Sequence, residues 1–491
     1  MIARTVIDLP LERPLWECAA LLSRGELCFL LDSAMDPQRL GQRTYLGGQP
    51  PALLTGKREE NTGAGQGVLF RLQLTRWMLP DGTIPPRPLQ STWTGDPFAA
   101  LRNLQAEYGA PLLDQSSPSG FAGGLVGFFG YEVGHALESL PDTGRPDPDL
   151  PDLAFMVADM VACEDHATGR RTLTVTGRGQ DQERARGQAE TMAGDWQALL
   201  QEPLPPRSDA PVPTPPLRSD FDQAGYCTAV DQCREHILAG DVFEVCLTHR
   251  MHTEFGGDPW NLYRRLREST PAPFAAYLQF GDFQILSASP ERFLKLDEDR
   301  VAESRPIKGT RPRGTDPAQD AQLREDLATN EKDRAENLMI VDLVRSDLGR
   351  VAEIGSVEVP ELMVVEEYAT VFQLVSTVAA RLRPECDALD LVKACYPGGS
   401  MTGAPKIRAM EIIDSLEPVQ RGVFSGAIGY LDRSGIMDLS IVIRTIVCQD
   451  GRAHFGVGGA VTADSSPLAE YQETLDKARA LARALGAALP E

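Results

Sequence analysis

The chain has 491 residues, a mass of 53.5 kDa and a hydrophobic content of 42%, which exclude a single small module and a disordered or collagen-like chain. Its 70 acidic and 48 basic residues give a formal net charge of −22, which repels nucleic-acid phosphates and anionic lipid headgroups. No run approaches the roughly 18 apolar residues of a membrane span, and residues 1–14 lack an apolar targeting segment. We expect a cytoplasmic protein with two or three core-forming units, at about 150 residues each.

The cysteine pattern agrees with a reducing compartment. The nine cysteines form no CxxC pair. An odd number of cysteines in a long chain is typical of reduced, buried thiols rather than of a disulfide or zinc framework.

In the N-terminal part, short β-like runs cover Leu27 to Leu31 and Leu153 to Val161. The segment from Gly123 to Tyr131 is rich in glycine but has no GxGxxG pattern. It therefore predicts close backbone packing rather than a nucleotide-binding loop.

A proline-rich segment divides the chain. Seven of the fourteen residues from Pro203 to Pro216 are proline, a composition that forms stiff, extended linkers. We predict an N-terminal region over 1–202, a linker over 203–219 and a catalytic region over 220–491.

After the linker, predicted helices and strands come in clusters. Helices are expected from the Asp222 cap to Gly240, from about Ala318 to Arg350, from Pro405, and from Ser466 to beyond Leu481. β-like runs cover Val423 to Leu431, Ile436 to Cys448 and Arg452 to Val461. Because strands and helices do not alternate strictly, the order favours an α+β fold with large antiparallel sheets over a doubly wound fold.

Two motifs resemble ligand sites only weakly. Gly398 and Gly403 have the spacing of a phosphate-binding loop, but Ala404 and Pro405 replace the lysine and hydroxyl residue that the loop requires. The segment therefore predicts either a structural turn or, through Lys406 at a helix N-terminus, a seat for a carboxylate. His249 and His252 lie in a β-like run at a spacing that places them on opposite faces, which argues against a shared metal.

A cationic segment stands out in this acidic chain. Three arginines and Lys308 lie within residues 305–313. Such a run forms either a solvated loop or a functional segment, and Gly309 and Gly314 allow a ligand to approach closely. We expect the neighbouring guanidiniums to lower the pKa of Lys308 and so to raise its fraction of neutral, nucleophilic amine.

Two glutamates on separate predicted helices are candidate metal ligands. Glu336 lies on an apolar stripe and either faces inward or forms an ion pair with Lys332, and Glu473 forms an i, i+4 pair with Lys477. Two carboxylates from separate helices suit Mg²⁺, which also retains water ligands. No GxSxG elbow and no glutaminase-like cysteine motif is present, so we expect no hydrolysis of glutamine by this chain.

Seven segments together resemble the chorismate-utilising enzymes, in the branch formed by component I of aminodeoxychorismate synthase and its sister, component I of anthranilate synthase. The resemblance covers nearly all of residues 220–491, and it extends more loosely to Leu30–Ser33 and Gly123–Gly134. The matching segments are SASPERF (287–293), SRPIKGTRPRG (304–314), RAENLMIVDLVRSDLGRV (334–351), PGGSMTGAPKIRAMEII (397–413), GAIGYL (426–431), IVIRT (441–445) and ADSSPLAEYQETLDKA (463–478).

The resemblance implies the fold of anthranilate synthase component I and a set of site residues. It implies that Glu336 and Glu473 hold Mg²⁺, which in turn holds the ring carboxylate of chorismate. The residues that the resemblance places around the substrate are Gly309, Thr310, Arg444, Gly458, Gly459, Ala460 and Lys477.

One position separates the activities of this family. The sequence PIKGT contains Lys308, as in aminodeoxychorismate synthases, whereas anthranilate synthases resemble it with alanine in PIAGT. The resemblance implies that this lysine attacks ring C2 and expels the C4 hydroxyl, with Glu291 as general acid, and that ammonia then attacks C4. Isochorismate and salicylate synthases instead carry a lysine base at the position of Glu244.

The implied function is component I of an aminodeoxychorismate synthase, a magnesium-dependent step of p-aminobenzoate and folate synthesis. It would use chorismate and ammonia from a separate glutamine amidotransferase subunit. Two alternatives remain open at this point, an anthranilate synthase component I with Lys308 incidental, or a non-catalytic chorismate-binding subunit.

Some positions depart from the family pattern or have open roles. Phe424 replaces a frequent tyrosine, Asp390 a histidine and Ala460 a third glycine. Ser33 either belongs to the tryptophan pocket of relatives or ends a strand.

Overall fold

The fold consists of two large antiparallel β-sheets with helices packed on them. A computed structural model describes residues 1–36, 39–59, 68–109, 120–145, 150–207, 212, 214–368 and 371–490. Within these residues each sheet has 12 strands, and the strand pairs are antiparallel. The predicted α+β class with large antiparallel sheets is confirmed.

The strands are, in chain order, β1 Ile2–Asp8, β2 Leu27–Asp32, β3 Arg43–Gly48, β4 Ala52–Arg58, β5 Phe70–Arg76, β6 Leu89–Gly95, β7 Gly124–Phe129, β8 Leu153–Ala158, β9 Met160–Asp165, β10 Arg171–Arg178, β11 Arg218–Ser219, β12 Glu244–Glu254, β13 Phe274–Phe280, β14 Phe283–Ser289, β15 Arg292–Leu296, β16 Val301–Ser304, β17 Ile307–Pro312, β18 Glu358–Glu367, β19 Val371–Arg381, β20 Gly403–Ala404, β21 Ala427–Asp432, β22 Met437–Ile441, β23 Thr445–Gln449 and β24 Arg452–Val461.

The helices are α1 Leu15–Leu22, α2 Pro97–Tyr108, α3 Gln182–Gln201, α4 Gln223–Leu238, α5 Pro259–Ser269, α6 Pro317–Thr329, α7 Glu331–Gly349, α8 Ala388–Cys395, α9 Lys406–Leu416 and α10 Pro467–Leu485. Short 3₁₀ helices cover Tyr131–Ala136 and Gly399–Met401. None of the helices in the described residues is both long and apolar enough to cross a membrane. All nine cysteines are free thiols.

Each sheet combines strands from both sides of the proline-rich segment. Sheet A has the order β1-β10-β9-β3-β2-β13-β14-β23-β24-β12-β11, with β20 beside β12. Sheet B has the order β17-β19-β16-β15-β22-β21-β7-β8-β4-β5-β6, with β18 beside β19. Residues 208–211 and 213 of the predicted linker lie outside the described residues.

The chain passes from one sheet to the other inside two runs that the sequence predicts as β-like. Residues 153–161 divide into β8 of sheet B and β9 of sheet A. Between these strands, the buried carboxylate of Asp159 pairs with the Arg178 guanidinium at 2.6 Å. Residues 436–448 likewise divide into β22 of sheet B and β23 of sheet A. The β-like character of both runs is confirmed, and each run contains parts of two strands because apolar residues continue through the crossing between the sheets.

The predicted helices agree more closely with the structure. The helix capped by Asp222 and the helix beginning at Pro467 are confirmed as α4 and α10. The single helix expected from Ala318 to Arg350 is two helices, α6 and α7. Asn330 leaves the helical conformation and caps α7 by accepting a hydrogen bond from the Asp333 backbone N–H at 3.0 Å.

The glycine-rich segment around β7 forms close backbone contacts, as the sequence predicts. This strand lies between β8 and β21 in sheet B. A Cβ atom added to Gly127 would lie 1.9 Å from the Ala154 carbonyl oxygen. The segment therefore requires glycine for strand packing.

We expect Gly127→Ala to destabilise the protein by about 1–3 kcal/mol, because the added methyl group overpacks the centre of sheet B. Gly187→Ala in α3 is the matched control, since a Cβ at Gly187 has no neighbour within 4 Å. That control should raise stability by about 1 kcal/mol through helix propensity. Thermal and urea unfolding of both variants measure the difference, and equal midpoints for the two would contradict the packing assignment.

Candidate active site

The candidate site lies where the chain crosses between the two sheets. Glu291 lies between β14 of sheet A and β15 of sheet B, and Arg444 lies between β22 of sheet B and β23 of sheet A. The Ser289 hydroxyl donates a hydrogen bond to the Ile441 carbonyl at 2.6 Å, and the Ile441 N–H donates to the Glu291 carbonyl at 3.0 Å. The two crossings are thus joined to each other, which places Glu291 near Arg444.

Glu291 is a buried carboxyl group that can hold a proton at neutral pH. Burial raises its pKa to about 7, although hydrogen bonding from Ser400 and the charges of Lys308 and Arg444 act in the opposite direction. A small cavity of about 20 Å³ lies beside it, also lined by Ser400, and it has room for one water-sized molecule. A carboxyl group with this pKa can act as a general acid.

A bulge in β17 directs Lys308 away from the regular ladder. Ile307 pairs with Val375 and Thr310 with Gln373 on β19, and the register shifts between these pairs. Lys308 and Gly309 occupy the shift, and bulges of this kind re-aim side chains next to active sites.

The bulge also requires glycine at position 309. Gly309 has φ +85°, and a Cβ there would lie 2.8 Å from the side chains of Asp333 and Leu327. Thr310 follows on β17 and is exposed.

Lys308 forms a buried ion pair with Glu244, the first residue of β12. Its Nζ donates a hydrogen bond to Glu244 Oε1 at 2.6 Å, and the two side chains are 9% and 0% exposed. Burial alone would lower the pKa of Lys308, but the charges of Glu244 and Glu336 outweigh it and raise the pKa above its usual value. The expected lowering by neighbouring guanidiniums is therefore wrong.

The arginines of the cationic segment do not act on Lys308 because each one pairs with carboxylates elsewhere. The pairs are Arg305 with Glu361 at 3.1 Å and with Glu366, Arg311 with Asp326 at 2.6 Å and Asp333 at 2.9 Å, and Arg313 with Asp320 at 2.5 Å. The three arginines of this segment thus pair with carboxylates of neighbouring elements. Of its four cations, Lys308 is the one that lies among the site residues.

Three carboxylates from two helices meet near β24. Glu336 of α7 is buried, and burial raises its pKa to about 7. Lys332 Nζ lies 3.7 Å from Glu336 and 3.2 Å from the buried Glu470 of α10, so the predicted pair of Lys332 with Glu336 is confirmed. Glu473 of α10 pairs with Lys477 at 2.8 Å, which confirms the second predicted pair.

This carboxylate group fits a hard divalent cation. Glu336 Oε1 and Glu470 Oε2 are buried without a hydrogen-bond partner in the structure. A Cβ at Gly459 would lie 3.2 Å from Glu470 Oε2 and 3.3 Å from Glu473 Oε1, so glycine leaves space for both carboxylates. Over the described ranges no group of three or more His, Cys, Asp or Glu side chains is placed to hold a metal ion. Mg²⁺ needs only one or two protein carboxylates, because waters or substrate oxygens complete its coordination.

Two cations are available to anionic groups of a substrate. Arg444 has φ +50°, and burial lowers its pKa, opposed by the charge of Glu291. Within the described part of the chain its guanidinium makes no hydrogen bond or ion pair. Lys477 Nζ donates to the Gly458 carbonyl at 2.7 Å. Ala460 lies on the same strand, opposite Cys246.

The remaining candidates lie outside this cluster or have structural partners. Lys406 Nζ donates to Asp347 Oδ2 and to the Cys395 carbonyl, both at 2.7 Å, so this loop is a structural turn rather than a carboxylate seat. The buried His249 ring contacts Ser219 Oγ at 2.7 Å and Thr474 Oγ1 at 3.0 Å.

The residues that depart from the family pattern, and Ser33, make ordinary packing and hydrogen-bond contacts. The Phe424 ring fills the space at Gly456, where a Cβ would lie 2.2 Å from it. Asp390 belongs to the capping box of α8. Ser33 follows β2, and its N–H donates to Thr44 Oγ1 at 3.4 Å.

The sequence does not assign three members of the cluster, Glu470, Ser400 and Glu244, to the site. Glu470 shares a helix face with Glu473, three residues later, and this spacing is a signal for a second carboxylate. Ser400 lies in a glycine-rich loop, and Glu244 is 64 residues from its partner Lys308. Neither of these two positions carries a local signal for the contact.

Comparisons with known proteins agree with this geometry. A model of the chorismate binding enzyme family matches residues 83–483. An aminodeoxychorismate synthase from Streptomyces griseus is 44% identical over 96% of this chain, but the chain spans only 62% of that relative's length. Aminodeoxychorismate synthase component 1 from Escherichia coli is 41% identical over 81% of this chain and 84% of its own length.

Relatives of the sister type are similar to a comparable degree. Anthranilate synthase component 1 from Streptomyces coelicolor is 42% identical over 82% of this chain and 79% of its own length. The crystal structure of anthranilate synthase component I from Streptococcus pneumoniae has a TM-score of 0.74 and 30% identity, and covers 90% of this chain and 92% of that one. The expected fold is therefore confirmed, and the chain belongs to the chorismate binding enzyme family.

Proposed function

We propose that this chain aminates chorismate to 4-amino-4-deoxychorismate, as component I of an aminodeoxychorismate synthase that serves p-aminobenzoate and folate synthesis. The observation that carries the proposal is the buried amine of Lys308 in the bulge of β17, beside Glu244. The named relatives from Streptomyces griseus and Escherichia coli support it. The ammonia would come from a separate glutamine amidotransferase subunit, a proposal that the name component 1 of the Escherichia coli relative supports.

The proposed reaction has two substitution steps. Lys308 Nζ bonds to ring C2, the two ring double bonds shift towards C4, and the C4–O bond breaks. Glu291 gives its proton to the departing hydroxide, which leaves as water, since hydroxide is a poor leaving group unless it is protonated. Ammonia then bonds to C4, the double bonds shift back and the bond from C2 to Lys308 breaks. The enolpyruvyl ether remains intact throughout.

The other site residues would bind and orient the substrate. Glu336 and Glu473 would hold Mg²⁺, with Glu470 close by. When bound, the ion would supply positive charge to the ring carboxylate of chorismate. The guanidinium of Arg444, which has no hydrogen-bond or ion-pair partner among the described residues, and the ammonium of Lys477, which also pairs with Glu473, would contact the substrate's negative charge.

A second candidate is anthranilate synthase component I, because a relative of that name is 42% identical. In that case Lys308 would have no covalent role and the enolpyruvyl group would be lost as pyruvate. We propose a cytoplasmic location for either activity, supported by nine free cysteines.

The first prediction concerns the product. With chorismate, magnesium and an ammonium salt, we expect the purified chain to form 4-amino-4-deoxychorismate, which retains the enolpyruvyl ether because only C4 is substituted. Mass spectrometry of the products distinguishes it from anthranilate. Anthranilate with release of pyruvate would reject the proposed function in favour of the second candidate.

The second prediction concerns Lys308. We expect Lys308→Ala to abolish aminodeoxychorismate formation and to leave chorismate affinity within severalfold, because the amine forms the covalent bond but is not the main binding group. Activity assays and calorimetric titration with chorismate measure the two effects.

A control variant separates the effect of Lys308→Ala on catalysis from its effect on stability. Lys308→Ala leaves Glu244 buried without a cation, which costs about 3–5 kcal/mol, whereas Lys308→Ala/Glu244→Gln removes that charge. The double variant should regain thermal stability and stay inactive. Amination by either variant at the wild-type rate would exclude a covalent lysine intermediate.

The third prediction concerns magnesium. Glu336→Gln should raise the magnesium concentration for half-maximal rate by about tenfold or more, because it removes a carboxylate ligand. Glu331→Gln is the control, since this exposed residue lies on the same helix. A normal magnesium response of Glu336→Gln, equal to that of the control, would show that Glu336 is not a ligand.

A further inference from the structure

We infer that Glu244 accepts the proton that Lys308 must lose before it can bond to the substrate, and returns it when the lysine leaves. This inference rests on the proposed function. It adds a third catalytic residue to Lys308 and Glu291. Glu244 lies on β12 of sheet A, whereas Lys308 lies on β17 of sheet B.

The contact geometry gives Lys308 one proton acceptor. Its Nζ donates to Glu244 Oε1 at 2.6 Å, and among the described residues this is the one hydrogen bond that the amine makes. Glu336 also raises the pKa of Lys308 through its charge but forms no hydrogen bond or ion pair with it in that part of the chain. Because the two side chains are 9% and 0% exposed, bulk water has little access to the proton.

Glu244 is free to take the proton because, among the described residues, Lys308 is the one hydrogen-bond donor to its carboxylate. Its Oε1 accepts from Lys308, and its Oε2 is buried without a hydrogen-bond partner in the structure. A proton can therefore move within the existing hydrogen bond without breaking a contact to a third group. A buried carboxylate that keeps several donors would resist protonation, since each donor stabilises the charged form.

The need for an acceptor follows from the charge state of the amine. Lys308 is an ammonium ion in the resting site because the charges of Glu244 and Glu336 raise its pKa. An ammonium nitrogen has no lone pair for C2, so a proton must leave before the bond forms.

The proton and charge balance closes over the two steps. In the first step one proton moves from Nζ to Glu244, Nζ bonds to C2 and becomes a secondary ammonium, and Glu291 protonates the departing hydroxide. In the second step ammonia bonds to C4, Lys308 leaves as a neutral amine and regains its proton from Glu244. The new C4 ammonium returns one proton to Glu291. The summed charge of these groups is the same before and after each step.

The test compares pH profiles of Glu244→Gln and the wild type at saturating magnesium and chorismate, with free ammonia held constant. We expect kcat of Glu244→Gln to fall by about 100-fold, with KM for chorismate within severalfold. Its kcat should rise by about tenfold per pH unit, because Lys308 must now lose its proton to solvent, whereas the wild type should lack this rise.

The pH dependence of kcat in the wild type and in the variant also includes contributions from other titratable groups near Lys308. Glu336 and Cys246 raise its pKa, and its charge acts on Glu291 and Glu473. All four side chains are kept in Glu244→Gln, but the charge of Glu244 also raises the pKa of Glu336 and of Cys246. Loss of that charge leaves Glu336 more fully ionised at neutral pH, so Glu336 does not supply a rise in kcat that the wild type lacks.

Two further variants make the result decisive. Glu244→Asp keeps a carboxylate and should show intermediate kcat with the wild-type pH profile. Asp152→Asn removes a buried carboxylate that lies 3.5 Å from Lys57, away from the site, and should leave both kcat and the profile unchanged.

The outcomes separate this inference from the proposed function. If the wild type forms aminodeoxychorismate and Glu244→Gln keeps the wild-type kcat and profile, the inference falls and the function stands. If Glu244→Gln fails to fold, a rising profile in Glu244→Asp overturns the inference and a wild-type profile supports it. If the wild type forms no aminodeoxychorismate, both are overturned.

Discussion

The hydrogen bonds between the two sheet crossings are the constraint on which the site depends. The crossing at Glu291 and the crossing at Arg444 are tied through Ser289 and Ile441. A carboxyl group and a guanidinium from segments about 150 residues apart are thereby fixed near each other, at the boundary of the two sheets. Neither residue belongs to a regular strand. The backbone therefore departs from regular strand pairing at the two positions that supply these side chains to the site.

A second constraint is the neutralisation of charge inside the site. The chain carries a formal net charge of −22, yet the site must admit a dianionic substrate in the proposed function. The structure meets this need by pairing rather than by accumulating cations, because the arginines beside Lys308 are occupied by carboxylates on neighbouring elements. The charge of Lys308 then acts on Glu336 of α7, Lys477 pairs with Glu473 of α10, and the guanidinium of Arg444 lies near Glu291.

The sequence predicts the fold class and the ion pairs within single helices, but not the contacts between site residues that are distant in the sequence. Capping signals located α4 and α10 because Asp222 and Pro467 act through adjacent backbone atoms. The long apolar runs at 153–161 and 436–448 predict β structure but not the division of each run into two strands, since apolar periodicity does not register a change of sheet. The sequence also does not predict the effect of Glu244 on the pKa of Lys308. The arginines are close to Lys308 in the sequence, but the group that is buried against it in the structure is the distant carboxylate of Glu244.

The mixed composition of both sheets has a consequence for how the chain is made. Strand β2 pairs with β13, and β7 pairs with β21, so early strands wait for partners that are synthesised much later. While the intervening residues are translated, the edges of those strands can pair with other chains. Long-range strand pairing of this kind also forms slowly. Biogenesis therefore depends on keeping the nascent N-terminal part from premature association until its C-terminal strands emerge.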